Sequence, residues 1–372
     1  MLPLAVAMME RGHEVVWATA ADACPRIEAL GIRARPVGKL QAERQAEYRR
    51  RWPEGAQLRG EARADHMFCH LLGEIAAHAA EADLLQLASE WQPDLVVNEA
   101  SEFAAPAIAA ALGVPHVTHS FGLAVPAARV GAAGEIVADI WHRLGVEPRP
   151  YGGCHDHLYI DIYPPSMQPD ELPHIGRITR VRPTSLDAIP GERLPDSVDR
   201  QVTSGGSRPV VYLTFGTVFN ANATFAAAVH ALGGLDATIV VTVGPGAPVD
   251  QFGPLPDNVH VAQYIPQSVL LPHCTAVASH AGSGTLLATL ARGLPQLCLP
   301  QAADQFRNAG ACVAAGAGVA LRGDEASAGA INASGRRLLD DHALRRGAER
   351  MRDEIASMPT PDDVAAELEQ LV

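Results

Sequence analysis

The chain has 372 residues, 48% hydrophobic and 19% charged, with a formal net charge of −13. That length fits two domains of ordinary size, and the composition is that of a globular protein. The acidic balance argues against nucleic-acid binding, which calls for a basic face, and no apolar run approaches the ~18 residues of a membrane-spanning helix. Six scattered cysteines without a C-x-x-C pair read as reduced thiols rather than a disulfide framework. With no signal-peptide pattern at the start, the expected location is the cytoplasm.

In chain order, "MLPLAVAMMERGHEVVWAT" predicts a helix with Leu2, Val6 and Met9 on one face. Gly12 ends it, and a strand follows over residues 14–19. The segment from about Lys39 to Leu72 has no interpretable pattern and is expected to be irregular. "PDLVVNEAS" predicts a strand, "EFAAPAIAAALG" a helix closed by Gly113, and "VPHVTHSF" a further strand. This alternation predicts a parallel sheet flanked by helices. Such a fold should open on a strand, and this chain opens on a helix. The first strand is therefore expected upstream of Met1.

A Pro-dense stretch from about Pro148 to Pro209 reads as loops and linker. The strand–helix rhythm then restarts with "PVVYLTFGT", "DATIVVTVG", "NVHVAQYIP", "TAVASHAG", "LPQLCLPQ" and "AGVAL". The expected architecture is two doubly wound α/β domains, over residues 1–195 and 209–372, joined by a linker at 196–208.

"SHAGSGT", Ser279 to Thr285, joins an apolar strand to a helix whose Leu286, Leu287, Leu290 and Leu294 recur at helical spacing. The unpaired N–H groups and dipole of that helix start favour an anion. Gly282 and Gly284 let a phosphate approach the backbone without a Cβ in the way. There is neither G-K-[ST] nor G-x-G-x-x-G, which sets aside a P-loop and a dinucleotide site. His280, at the strand's carboxyl end, belongs to the crevice where doubly wound folds bind ligands. Taken alone, the heptapeptide is equally a tight turn with a satisfied histidine.

Its surroundings carry more. "YIPQ" precedes it and "PQAADQ" follows, so the run from Val261 to Gly318 resembles the donor-binding region of family 1 glycosyltransferases. These are GT-B enzymes, and the actinobacterial antibiotic and macrolide branch is the nearest in pattern: aromatic-[VI]-P-[QL], H-x-G-x-G-T, then P-x-x-x-D-Q. "RGHEV", "PDLVV" and "DIYPPSMQ" extend the likeness over most of the chain.

The resemblance implies a GT-B fold, two Rossmann-like domains facing a cleft, with the acceptor in the N-terminal one. The Lys39–Leu72 segment is expected to wall that acceptor site in part. His280 and the backbone of Gly282, Ser283, Gly284 and Thr285 are expected to hold the diphosphate of a UDP- or dTDP-sugar, with Thr217 approaching from the other side. Tyr264 would stack on the base, the Ile265 backbone would pair with its edge, and Gln267 would lie near the nucleoside. Asp304 and Gln305 would bond the sugar hydroxyls. Plant members carry a ribose-binding Glu where this chain has Leu287, so that contact is absent or made elsewhere. No metal or cofactor is implied, since a helix N-terminus and a histidine supply the positive field. "CHDH", Cys154 to His157, is too compact for a zinc motif and reads as a solvated loop.

The resemblance places the catalytic histidine upstream of Met1 and its acidic partner at Glu99, which otherwise reads as a surface-loop glutamate. His116 and His119 are the nearest other histidines and are expected in the crevice wall or core. The implied activity is an inverting, metal-independent transfer of a hexose or deoxyhexose to a hydroxyl of a small lipophilic acceptor. A nucleotide-sugar epimerase or hydrolase, and a non-catalytic binder, are the alternatives.

Overall fold

The computed structural model describes residues 1–169, 171–185, 192–203, 208–216, 223–244, 247–302 and 304–372. They divide into two compact units. The first comprises Met1–Ile162, Pro169–Val181 and Pro359–Val372; the second comprises Tyr163–Gln168 and Arg182–Met358.

The first unit opens with α1 (Leu2–Glu10), β1 (Val16–Thr19), α2 (Cys24–Glu28) and β2 (Arg33–Pro36). β1 and β2 pair in parallel as a two-stranded sheet, Val16 opposite Arg33. Next come α3 (Gln41–Arg51), α4 (Gly60–Met67), a π-helical run over Phe68–Ala76, and α5 (Ala77–Trp91). The segment expected to be irregular is therefore largely helical. Its helices are hard to see in sequence because α3 buries only Tyr48, and α4 buries nothing. Tyr48 packs on Leu71 and Ile75 of the π-helical run, so tertiary contact rather than an apolar stripe holds the segment.

β3 (Val96–Glu99), α6 (Ala104–Leu112), β4 (His116–His119), α7 (Ala127–Ile136), α8 (Ala138–Arg143), β5 (Leu158–Asp161) and β6 (Ile178–Arg180) complete the series. Gly113 ends α6 at φ 71°, the left-handed closure that its position predicts. The sheet order is β3-β4-β5-β6, all parallel. β5 and β6 lie inside the Pro-dense stretch read as linker. β5 is buried at every position, so it shows no alternation, and β6 is only three residues long.

The second unit contains α9 (Asp196–Thr203), β7 (Val210–Thr214), α10 (Ala223–Gly233), β8 (Thr238–Thr242), β9 (Val259–Ala262) and α11 (Gln267–Leu270). β10 (Ala276–Ser279), α12 (Ser283–Leu290), β11 (Gln296–Cys298), α13 (Gln305–Ala314), β12 (Gly318–Ala320), α14 (Ala328–Asp340) and α15 (His342–Ser357) follow. All six expected strands are present and form one parallel sheet in the order β12-β11-β10-β7-β8-β9. α9 falls where a linker was expected. Val198 on it joins the buried cluster of Leu194, Val210 and Ile265, so this stretch belongs to the second core.

α16 (Pro361–Leu368) returns to the first unit, so the second ends at Met358 rather than at 372. Thr360 caps it by accepting from the Asp363 N–H. Val364, Ala365 and Leu368 enter the core formed by Leu4, Ala7, Val117 and Ile160. Arg11 clasps the tail through Glu369 at 2.8 Å and Asp362 at 3.1 Å.

Candidate functional site

The strand order of the second unit reverses between β7 and β10, and the carboxyl ends of those strands bound the crevice where such sheets bind ligands. Ser279 lies opposite Thr214 in register, so the residues that follow each strand meet there. His280 sits in that crevice between two glycines. A Cβ on Gly282 would fall 2.6 Å from Nε2, and one on Gly216 3.0 Å from Cε1. Gly216 has φ +70° besides. Burial lowers the His280 pKa, against the opposing pull of Asp304 and of a hydrogen bond to the Thr214 backbone. The imidazole is thus biased to its neutral form, whose one N–H serves the Thr214 carbonyl, so a second N–H to offer a ligand comes with protonation.

The turn after His280 is strained. Ala281 adopts φ 63°, a left-handed conformation that costs a non-glycine residue about 1–3 kcal/mol. Its N–H donates to Ser279 Oγ at 3.1 Å and its carbonyl accepts from Asn308 Nδ2 at 3.0 Å. Gly282 then serves as N-cap of α12 with φ −65° and ψ 140°, and no side chain caps the helix. The backbone N–H groups of Ser283, Gly284 and Thr285 are left facing the crevice end of the helix, as an anion requires. Gly282→Ala should displace the imidazole and lower turnover by about tenfold to a hundredfold, the scale for an ångström of misplacement. Steady-state rates beside a melting curve test this; a fully active, folded variant would show that the close approach is dispensable.

Three elements converge beside this turn. Ser283 Oγ donates to Asp304 Oδ2 at 2.9 Å, and Asn308 Nδ2 donates to the same oxygen at 2.8 Å. The Tyr163 hydroxyl donates to Ser283 Oγ at 3.2 Å. Gln305 is buried, and its Oε1 accepts from the N–H groups of Gln301 and Ala302 at 2.8 and 3.0 Å. With its oxygen so engaged, Gln305 offers a ligand its amide nitrogen, which makes no bond among the described residues. Across α12, Gln267 Nε2 donates to Thr285 Oγ1 at 2.9 Å. Tyr264 is 42% exposed while the neighbouring Ile265 is buried, so the ring presents a face and its neighbour anchors the loop.

In the first unit, Glu99 ends β3 and Glu102 precedes α6. Glu102 spends both oxygens on the Ala104 and Ala105 N–H groups at 2.9 and 2.7 Å, capping the helix. Glu99 differs. Oε2 accepts from the Ser101 hydroxyl at 2.5 Å, whereas Oε1 is buried with no partner among the described residues. Burial raises the Glu99 pKa to about 7, and Ser101 pulls it part of the way back. His119 is buried, hydrogen-bonded through Nδ1 to the Ser120 carbonyl at 2.7 Å, and its pKa falls to about 3. His116 is buried as well, donating from Nε2 to the Gly153 carbonyl at 2.6 Å. The "CHDH" stretch is not a solvated loop throughout. Cys154 is fully buried, and His157 Nδ1 meets His116 Nδ1 at 3.2 Å.

Residues 6–177 match the N-terminal domain, and residues 226–371 the C-terminal domain, of the family described as erythromycin biosynthesis protein CIII-like. The chain belongs to that family. L-demethylnoviosyl transferase of Streptomyces niveus is 32% identical to it over 98% of this chain and 92% of its own length. Among solved structures, glycosyltransferase VinC in complex with dTDP superposes with a TM-score of 0.79 at 27% identity, covering 100% of this chain and 95% of VinC. SnogD from Streptomyces nogalater gives 0.76 at 28% identity, covering 100% and 94%.

This member of the erythromycin CIII-like family is thus a glycosyltransferase of the GT-B fold. Of its expected donor residues, the structure gathers His280, Gly282, Ser283, Gly284, Thr285, Gln267, Asp304 and Gln305 around the start of α12. Tyr264 and Ile265 stand in the loop between β9 and α11. Thr217 lies outside the described residues. Tyr163 and Asn308 escaped the sequence reading. The signal for Asn308 was its place one helical turn after Asp304, a buried amide on the face shared with Gln305, Ala309 and Cys312.

Proposed function

We propose that this glycosyltransferase moves a hexose or deoxyhexose from a UDP- or dTDP-sugar to a hydroxyl of a small lipophilic acceptor, with inversion and without a metal. The observation that carries the donor half is the neutral His280, caged by Gly216 and Gly282 at the open N-terminus of α12. Backbone N–H donors preorganised in a crevice, with an imidazole that gains its second N–H by protonation, stabilise the charge that develops on a departing diphosphate. The dTDP complex of VinC supports the same ligand class. Tyr264 is assigned to the base, the Ile265 backbone and Gln267 to the nucleoside, and Asp304 with the Gln305 amide to the sugar.

The first unit supplies the acceptor site and Glu99, whose carboxylate takes the acceptor proton or holds a base that does. As the O–H bond breaks, the acceptor oxygen forms its bond to the anomeric carbon. The bond from that carbon to the β-phosphate oxygen breaks, and its electron pair leaves on the diphosphate. In-line displacement of this kind inverts the anomeric centre. The free state of all six cysteines fits a reducing compartment, and the cytoplasm is the location proposed.

The test is release of dTDP from a dTDP-sugar in EDTA, with and without an aromatic or macrolide aglycone. Acceptor-dependent release with an inverted product is expected. Release without acceptor would make the protein a hydrolase or epimerase, no release would make it a binder, and strict Mg²⁺ dependence would overturn the metal-independent step.

A further inference from the structure

We infer that Tyr163 and Asn308 are positioning residues that aim the Asp304 carboxylate at the donor sugar, acting through Ser283. The inference rests on the assignment of Asp304 to the sugar. A carboxylate only accepts, so the 2.9 Å contact fixes Ser283 as donor to Asp304 Oδ2. Having spent its one proton, Ser283 Oγ accepts from the Tyr163 hydroxyl at 3.2 Å and from Asn308 Nδ2 at 3.1 Å. Asn308 Nδ2 also reaches Oδ2 directly at 2.8 Å. The Ser283 proton has one direction, the two Asn308 N–H groups are shared among Ala281 O, Ser283 Oγ and Oδ2, and both bonds to the carboxylate converge on Oδ2. Neither of these two bonds uses Oδ1.

The construction is expensive for a role in packing alone. Tyr163 and Asn308 are both fully buried. Asn308 Oδ1 is buried without a partner among the described residues, and an unmet acceptor of that kind costs about 1–3 kcal/mol. A leucine would fill the same helix position without that penalty. The amide cannot simply be turned over, because its oxygen would then face Ala281 O, Ser283 Oγ and Asp304 Oδ2. Tyr163, moreover, comes from Tyr163–Gln168, which belongs to the second unit although the chain on either side belongs to the first. Burial raises its pKa, so the phenol stays protonated and remains a donor at any working pH. Two side chains thus hold one carboxylate oxygen, and Tyr163 steadies the Ser283 hydroxyl behind them, which preorganises the carboxylate for a sugar hydroxyl.

The test is a double-mutant cycle on the full chain, read by calorimetric titration with dTDP-glucose and with dTDP. Tyr163→Phe should weaken dTDP-glucose about tenfold and leave dTDP within about twofold, because only the sugar meets Asp304. In an Asp304→Asn background, Tyr163→Phe should have no further effect, as expected of a group acting through that carboxylate. Equal losses for both ligands, or an undiminished effect in the Asp304→Asn background, would overturn the positioning role. If Asp304→Asn alone leaves dTDP-glucose binding unchanged, the sugar-binding assignment itself falls, and the inference with it. Ser283→Ala breaks the same relay with a smaller change of shape and answers the question should Tyr163→Phe fail to fold.

Discussion

Replacing Glu99 with glutamine will lower kcat by about 10²–10⁴, the usual worth of a group that handles a proton in the transition state. Glutamine keeps the shape and the Ser101 hydrogen bond but cannot carry the charge. The pH profile gives the sharper readout. Burial and Glu102 push the Glu99 pKa up, Ser101 and the Met1 amine pull it down, and the balance is about 7. Activity that needs the carboxylate should rise through about pH 7, well above the range of an ordinary glutamate, and Glu99→Gln should abolish that limb. The stability effect has the opposite sign. A carboxyl whose folded pKa is raised is most favourable below its unfolded value of about 4.5, and its contribution is lost as pH climbs through about 7. Glu99→Gln should therefore melt no lower than the parent at about pH 8, where the parent buries a charge, while being far less active. Full turnover in the variant, or an unmoved acid limb, would sink the assignment.

Changing His280 to alanine should lower kcat by about 10²–10³, the scale for losing one preorganised donor to developing charge. The fold should persist. Gly216 and Gly282 owe their conformations to the strand ends and to the cap of α12, and Ala281 is held by Ser279 and Asn308 rather than by the imidazole. Affinity for dTDP should fall less than turnover, since a group beside the diphosphate contributes most once the leaving group gains charge. Turnover with a dTDP-sugar and acceptor, read beside the melting curve, decides it. A variant within about threefold of the parent would leave His280 as a well-packed turn residue.

The second unit was legible because its strands are short apolar runs bounded by Gly, Pro and Asn, and its motif spacing falls on the strand ends that face one crevice. The resemblance then supplied the expected donor roles, which strand positions alone do not give. What sequence could not show was contact without local pattern. β5 and β6 hide in a proline background, α9 reads as linker until Val198 is seen buried, and α3 is polar apart from Tyr48. Glu99 and Glu102 look alike in "VVNEASEF", and only the capping bonds of Glu102 separate them. Gln305 was assigned by pattern, yet its oxygen is taken up by its own loop. Tyr163 and Ser283 stand 120 residues apart, and nothing in either neighbourhood announces the other.

The return of the tail to the first unit bears on how the molecule is made. Arg11 and Glu369 are separated by 358 residues, and Val364, Ala365 and Leu368 sit in the same core as Leu4 and Ala7. During synthesis, the first unit leaves the ribosome without that piece of its core and must wait until the whole second unit has emerged. Long-range closure of this sort is slow and leaves apolar surface open in the meantime. A nascent chain stalled after the second unit would carry a finished second unit and an unfinished first one. Chimeras that exchange halves with a relative face the same constraint, because α1 and the tail have to come from one parent.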